Sequence, residues 1–216
     1  MQDLTIPDLL LVGRGEALRT ALKVVHNETN ASPVIVEIGV LRDPSGWREP
    51  PENPVIPNHL QGAARSDGWS SLLWAWYATE HPKAKIQLVD IQQGCIDVCS
   101  TILHEQLAVF ELPENITLVC NDAVAFFLEL PPCKIDLLYL DGGDEPTQMM
   151  DHFTSASTLN FLQPGSRLLL DDIPADPNRG KGTILVPHLR ESKDWILELD
   201  DTDHCQMLWK RVDIDA

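Results

Sequence analysis

Ile135-Asp136-Leu137-Leu138-Tyr139-Leu140-Asp141 and Leu168-Leu169-Leu170-Asp171-Asp172 are the two stretches that decide the fold. Each is a short, nearly all-apolar run that ends in acid. Runs of this length without alternation read as strands buried on both faces, as in a parallel sheet under helices. Ligands of open α/β sheets bind just beyond the carboxyl ends of the strands. Asp141, Asp171 and Asp172 are therefore expected to converge on one crevice. Clustered carboxylates repel one another unless a cation or a proton compensates them, so the two motifs are a site hypothesis as well as a packing pattern.

Working outward, apolar positions at Ala17, Leu18, Ala21, Leu22, Val24 and Val25 mark a leading amphipathic helix over 14–28. Residues 33–39, Pro-Val-Ile-Val-Glu-Ile-Gly, form a first buried strand that ends in glycine. A helix is expected over 69–80, capped by Ser66 or Asp67, and a second strand over 86–90. A helix over about 93–110, a strand at 116–120 and a short helix at 123–130 follow. Strand 135–140, helix 145–162 and strand 167–171 come next, with a further candidate helix at 182–191. Residues 195–199 and 205–212 read as two strands around the polar turn Asp-Asp-Thr-Asp. This alternation implies an α/β, doubly wound, mostly parallel sheet with a C-terminal antiparallel hairpin.

Residues 41–66 break the pattern, with Pro44, Pro50, Pro51, Pro54 and Pro57 and no clear periodicity. So long a loop within a compact domain is usually a lid, a binding loop or disorder. Trp47, Val55, Ile56 and Leu60 give it something to bury, which favours an ordered lid; a floppy insertion is the competing reading.

The 216 residues suit one α/β domain spanning 1–216. Sixteen basic and 33 acidic residues leave a net charge of −17, and no Lys/Arg cluster offers a face for nucleic acid. A solvated acidic surface explains most of that charge, which is also compatible with a cation-dependent site or a neutral or cationic substrate. The five cysteines are scattered, with no Cys-x-x-Cys pair, and read as free, mostly buried thiols in a reducing, cytoplasmic setting. No secretory signal or membrane span is evident, so the Asn-x-Ser/Thr triplets at Asn27, Asn30 and Asn115 read as chance matches.

A nucleotide-binding α/β domain needs a glycine turn where backbone approaches the ligand. Gly39 stands alone after the first strand, and Gly68-Trp69-Ser70 follows only after the insertion. An acid that binds ribose hydroxyls lies ~20 residues beyond such a turn. Asp90 meets that spacing from Gly68 but lies far beyond it from Gly39, as expected if 41–66 is an excursion within one loop. The competing reading of Asp90 is a plain strand-end acid. No contiguous Gly-x-Gly-x-x-Gly is present, which disfavours a nicotinamide dehydrogenase.

The order of these motifs resembles the class I S-adenosylmethionine-dependent methyltransferases over about residues 33–212. Val36-Glu37-Ile38-Gly39 is similar to the family's first motif, Leu88-Val89-Asp90 to the acidic end of its second strand, and Asn121-Asp122-Ala123 to its adenine-contacting turn. The subgroup resembled is the metal-dependent, catechol O-methyltransferase-like enzymes of small molecules, whose Gly-Tyr-Ser element is matched by Gly68-Trp69-Ser70. The resemblance implies that Glu37 and Gly39 line the methionine portion of S-adenosylmethionine, with Gly68 also among the cofactor-binding residues. It implies further that Ser70 binds the cofactor's carboxylate, Asp90 its ribose and Asp122 its adenine amine, with Asp141 beside the methyl group. It also implies that Asp141, Asp171 and Asp172 hold a divalent metal such as Mg²⁺. Three carboxylates suit an octahedral Mg²⁺, which would lower the pKa of a bound substrate hydroxyl.

The subgroup's Lys or His just after the fourth strand is replaced by Gly142-Gly143-Asp144. Asp144 and Lys181 are then the candidates for general base, with Asp141 as the third catalytic group. His59 and His188 read better as exposed residues. Trp69, Trp74, Trp76 and Tyr77 read as core packing, with Trp69 also placed to touch cofactor or lid. Met149, Met150 and His152 read as helix surface or an oligomer contact. The expected partner is a small hydroxylated acceptor, with a homo-oligomer possible and neither nucleic acid nor membrane involved. Rival readings are a metal-free methyltransferase of the same fold and a non-catalytic binding or regulatory domain.

Overall fold

The computed structural model describes residues 4–6, 15–40, 69–107, 111–176 and 178–214. The expected lid at 41–66, the cap at Ser66 or Asp67, Gly68 and the end of the third helix at 108–110 lie outside the described residues.

Seven strands form one sheet in the order β3-β2-β1-β4-β5-β7-β6. They are β1 (Val34–Ile38), β2 (Lys85–Asp90), β3 (Ile116–Cys120), β4 (Leu137–Leu140), β5 (Arg167–Leu170), β6 (Trp195–Asp201) and β7 (Gln206–Arg211). The first five run parallel, while β7 is antiparallel to β5 and β6 is antiparallel to β7. The helices are α1 (Gly15–Glu28), α2 (Trp69–Glu80), α3 (Gln93–Leu107), α4 (Ala123–Glu129), α5 (Pro146–Thr158) and α6 (Leu185–Glu191). The doubly wound sheet and its terminal hairpin are as the sequence implied.

The continuous apolar strands follow from two cores, one on each face of the sheet. Side chains alternate between faces along a strand. Ile35, Leu137, Tyr139 and Leu169 pack with Leu18, Leu22, Leu73, Trp74, Tyr77 and Leu103 of α1–α3. Val36, Ile38, Leu138, Leu140, Leu168 and Leu170 pack with Phe126, Phe127, Met149, Phe153 and Leu189 of α4–α6. Edge strand β6 alternates in exposure along its length.

Capping chemistry sets several helix ends. Asp122 caps α4, its Oδ1 accepting from Val124 N and Ala125 N. Pro146 opens α5 within a Glu145/Gln148 capping box. The helix expected over 145–162 ends at Thr158, because Asn160 turns left-handed at φ 60°; Leu162 is buried in the core but is not helical. The segment expected as one helix at 182–191 starts as a 3-10 turn at Lys181–Thr183 before α6.

A buried cation ties the first helix to the hairpin. The Arg167 guanidinium bonds Glu28, the last residue of α1, and Glu198 of β6. The thiols divide: Cys95 and Cys99 are buried, Cys133 and Cys205 are half-buried, and Cys120 is exposed, which corrects the expectation of mostly buried thiols. Among the described residues no helix is long and apolar enough to cross a membrane.

Candidate functional site

The chain order reverses between β1 and β4, and a cleft opens there at the carboxyl ends of the strands, as the topology of such sheets dictates. The two strand ends nearly touch through glycines. Ile38 O accepts from Asp141 N at 2.9 Å and from Gly142 N at 2.5 Å, and Gly39 N donates to Val89 O at 2.8 Å. Gly39 has φ +88°, and a Cβ there would lie 2.4 Å from Gly142 N. Only glycine takes that conformation at that separation without strain.

Gly39, Asp90, Asp122, Gly142, Asp144 and His152 are among the residues that line the cleft. Asp90 is buried and held from both sides. Its Oδ2 accepts from Val40 N at 3.1 Å and its Oδ1 from Gln92 N at 2.8 Å. Each carboxylate oxygen has a second lone pair, so Asp90 can still accept from a ligand. Asp122 spends one oxygen on its helix cap.

Glu37 and Ser70 are buried beside α2 and do not line the cleft. Ser71 Oγ, not Ser70, donates to Glu37 Oε2 at 2.6 Å. The Ser70 hydroxyl has no hydrogen-bond partner among the described residues. Burial, with Glu37 nearby, pushes the Cys99 thiol behind this pair up to about 12, so it is inert.

The strand-end acids do not gather as one set of three, which corrects the expectation for Asp141, Asp171 and Asp172: Asp141 and Asp172 meet at one lysine and Asp171 is held elsewhere. Asp171 accepts from Tyr139 Oη at 2.6 Å and from Gln206 Nε2 at 3.3 Å, deep in the sheet. Asp172 is half exposed at φ 57° and pairs with Lys181 Nζ at 2.6 Å. The same ammonium donates to the Asp141 carbonyl oxygen at 2.6 Å and lies 3.7 Å from Asp141 Oδ1. Among the described residues no group of three His, Cys, Asp or Glu side chains is placed to hold a metal ion. A dication ~4 Å from the Lys181 ammonium would be repelled by about 8 kcal/mol at an effective dielectric of ~20. The donor set therefore does not fit the expected Mg²⁺. Lys181, with its ammonium already donating to Asp141 and Asp172, is likewise not placed as a base.

His152 corrects another expectation. It is buried on α5 and lines the cleft, and Met149, one turn earlier, is fully buried. The signal was present in the sequence: Met149, Phe153 and Ala156 mark the inward stripe, and His152 lies on it. Burial lowers the His152 pKa from its usual value, against the opposing pull of Asp122 and Asp151, and its Nδ1 has no hydrogen-bond partner among the described residues. His188 is exposed on α6, as expected.

No family model matches the chain, and no curated protein matches its sequence. Solved structures do. The SAH-bound Podospora anserina methyltransferase PaMTH1 is 14% identical, with 98% of this chain and 91% of that one covered at a TM-score of 0.60. The O-methyltransferase TomG from Streptomyces achromogenes, involved in tomaymycin synthesis and solved with SAM, is 16% identical over 94% of this chain and 93% of that one, at 0.53. A methyltransferase from Geobacter sulfurreducens is 13% identical over 92% and 80%, at 0.51. The structural neighbours are class I S-adenosylmethionine-dependent methyltransferases, O-methyltransferases among them, and this chain has their Rossmann-like fold.

Proposed function

We propose that the protein is an S-adenosylmethionine-dependent methyltransferase that acts on a hydroxyl of a small molecule. The observation that carries this reading is the charge of the cleft. A switch-point cleft in this fold takes nucleotide-like ligands, yet among the described residues this lining offers Asp90, Asp122 and Asp144 and no Lys or Arg. Against these described charges a pyrophosphate cofactor would meet carboxylates. A nucleoside carrying a sulfonium cation is attracted by the same charges.

The residues present fit such a cofactor. Asp90 would accept from the ribose hydroxyls and Asp122 from the adenine amine, while the Gly39–Gly142 approach leaves backbone bare along the ligand. S-adenosylmethionine, when bound, supplies the electrophilic methyl group. Around it the chain's own residues orient and exclude. Asp144, at the exposed rim, would be the carboxylate that takes the acceptor's proton, and Asp141, which precedes the Gly142–Gly143 wall, would stand beside the methyl group. The bound TomG and PaMTH1 neighbours support the cofactor, and TomG supports the acceptor oxygen.

Calorimetric titration with S-adenosylhomocysteine tests the reading. Wild type is expected to bind it and not NADH. Asp90→Ala removes two charge-assisted hydrogen bonds of about 1.5 kcal/mol each, so affinity should fall by roughly 100-fold. No binding by wild type would refute the cofactor assignment, and equal binding by both proteins would refute the role of Asp90.

A further inference from the structure

Among the described residues Lys181 is the buried lysine, its side chain only 8% exposed, and methyl transfer as proposed above gives it no task. A lysine is seldom so buried unless paired, and here the local backbone is shaped to pair it. Gly180 has φ +79°, and a Cβ there would lie 2.4 Å from both Asp172 O and Pro174 Cδ. A Cβ at Gly182 would lie 2.4 Å from Ile173 Cδ1. Glycine on either side thus lets Lys181 press against 172–174, where its N–H donates to Asp172 O at 3.3 Å. Asp172 itself is left-handed, a conformation that aspartate tolerates better than most residues.

From this seat the ammonium bridges two strand ends. It donates to the Asp141 carbonyl oxygen and to Asp172 Oδ2, each at 2.6 Å. Asp141 immediately precedes Gly142 and Gly143, which wall the cleft. Asp171 is withdrawn to Tyr139 and Gln206. The positive charge therefore sits where carboxylates at the ends of β4 and β5 would otherwise gather a metal.

We propose that Lys181 is the resident cation of this crevice: its ammonium offsets part of the charge of Asp141 and Asp172 and pins the turn that walls the cleft, so the site works without a divalent metal. Only the identity of the cleft's ligand rests on the methyltransferase reading. Lys181 acts here as a positioning residue, through Asp141 and the glycines that follow it.

The test is titration of the full-length protein with Mn²⁺, with free Mn²⁺ read by electron paramagnetic resonance. Wild type is expected to show no saturable site beyond the weak uptake that Asp172→Asn also shows. Lys181→Ala removes the cation that Asp141 and Asp172 share. It should melt roughly 4–8 °C lower, bind one Mn²⁺ at least ~10-fold more tightly than wild type, and recover part of the lost melting temperature with Mn²⁺ present. Lys181→Arg keeps the charge and should gain no Mn²⁺ site, which a merely space-filling role for Lys181 would not predict. A saturable Mn²⁺ site in wild type that Asp172→Asn abolishes would overturn the proposal, as would a folded Lys181→Ala that gains none. If Lys181→Ala does not fold, the wild-type and Asp172→Asn titrations decide by the same criterion. Binding of S-adenosylhomocysteine by wild type should be equal in EDTA and in Mg²⁺, and dependence on Mg²⁺ would count against the proposal. Absence of binding in both would refute the cofactor assignment while the Mn²⁺ result still judges Lys181.

Discussion

Gly142→Ala is the sharpest perturbation of the switch point. Gly142 has no left-handed backbone to lose, so the substitution tests the approach of two strand ends alone. The new Cβ would lie 2.9 Å from Gly39 N and 3.0 Å from Ile38 C and O, all backbone atoms. Carbon contacts settle at ~3.5–4.0 Å, so the ends of β1 and β4 must part by roughly half an ångström or more. Overpacking of this kind costs about 1–3 kcal/mol. Parting also weakens the bonds that Ile38 O accepts from Asp141 N and Gly142 N, at about 0.5–1.5 kcal/mol for one bond. A net loss of about 3 kcal/mol lowers the melting temperature of a chain this size by ~6–12 °C. Both glycines line the cleft, so affinity for S-adenosylhomocysteine should also fall by ~10-fold or more, which is about 1.4 kcal/mol. Gly94→Ala is the matched control: nothing lies within 4 Å of its Cβ, and it sits in α3. Helix propensity should leave that variant unchanged or raise its melting temperature by up to ~4 °C. Calorimetric melting and ligand titration of both variants are the assay. A Gly142→Ala protein that melts within ~1 °C of wild type and keeps its affinity would refute the argument.

Arg167→Met removes a guanidinium that is 2% exposed and joins α1 to β6. Glu28 is 47% exposed and can turn to water, so the loss should be about 2 kcal/mol, below that of a fully buried pair; an unchanged denaturation midpoint would refute the pinning role. His152 predicts a pH dependence. Its folded pKa lies below the unfolded value of 6.5, so the unfolded chain takes up the proton first. Its contribution is full above pH ~6.5 and is lost as pH falls towards the folded pKa. The stability advantage of wild type over His152→Gln should therefore shrink between pH 7.5 and 5.5, and an advantage that holds or grows would contradict the burial argument.

Much of this molecule was legible from local pattern. The runs ending at Leu140 and Leu170 are nearly all apolar because helices cover both faces of the sheet, and that requirement is written residue by residue. Asp90 at a strand end and Asp122 before a helix were legible for the same reason: strand ends and caps are set by neighbours in sequence. Trp74 and Tyr77 were read correctly as core, since one turn of helix places them on one side. His152 was legible but misread, because its polar type outweighed its place on the apolar stripe of α5.

Tertiary structure alone decided how the acids are partnered. All three end apolar strands, yet Asp171 is claimed by Tyr139 and Gln206 while Asp141 and Asp172 share Lys181. The bond from Lys181 to Asp141 spans 40 residues, and Gln206 reaches Asp171 across 35. A sequence places charges at strand ends through short-range periodicity. Which charge meets which depends on how loops close and where long side chains can be buried with a partner. The same chain of residues thus announced a crevice of carboxylates, and only its folding determined that two of them share a lysine while the third turns to Tyr139 and Gln206.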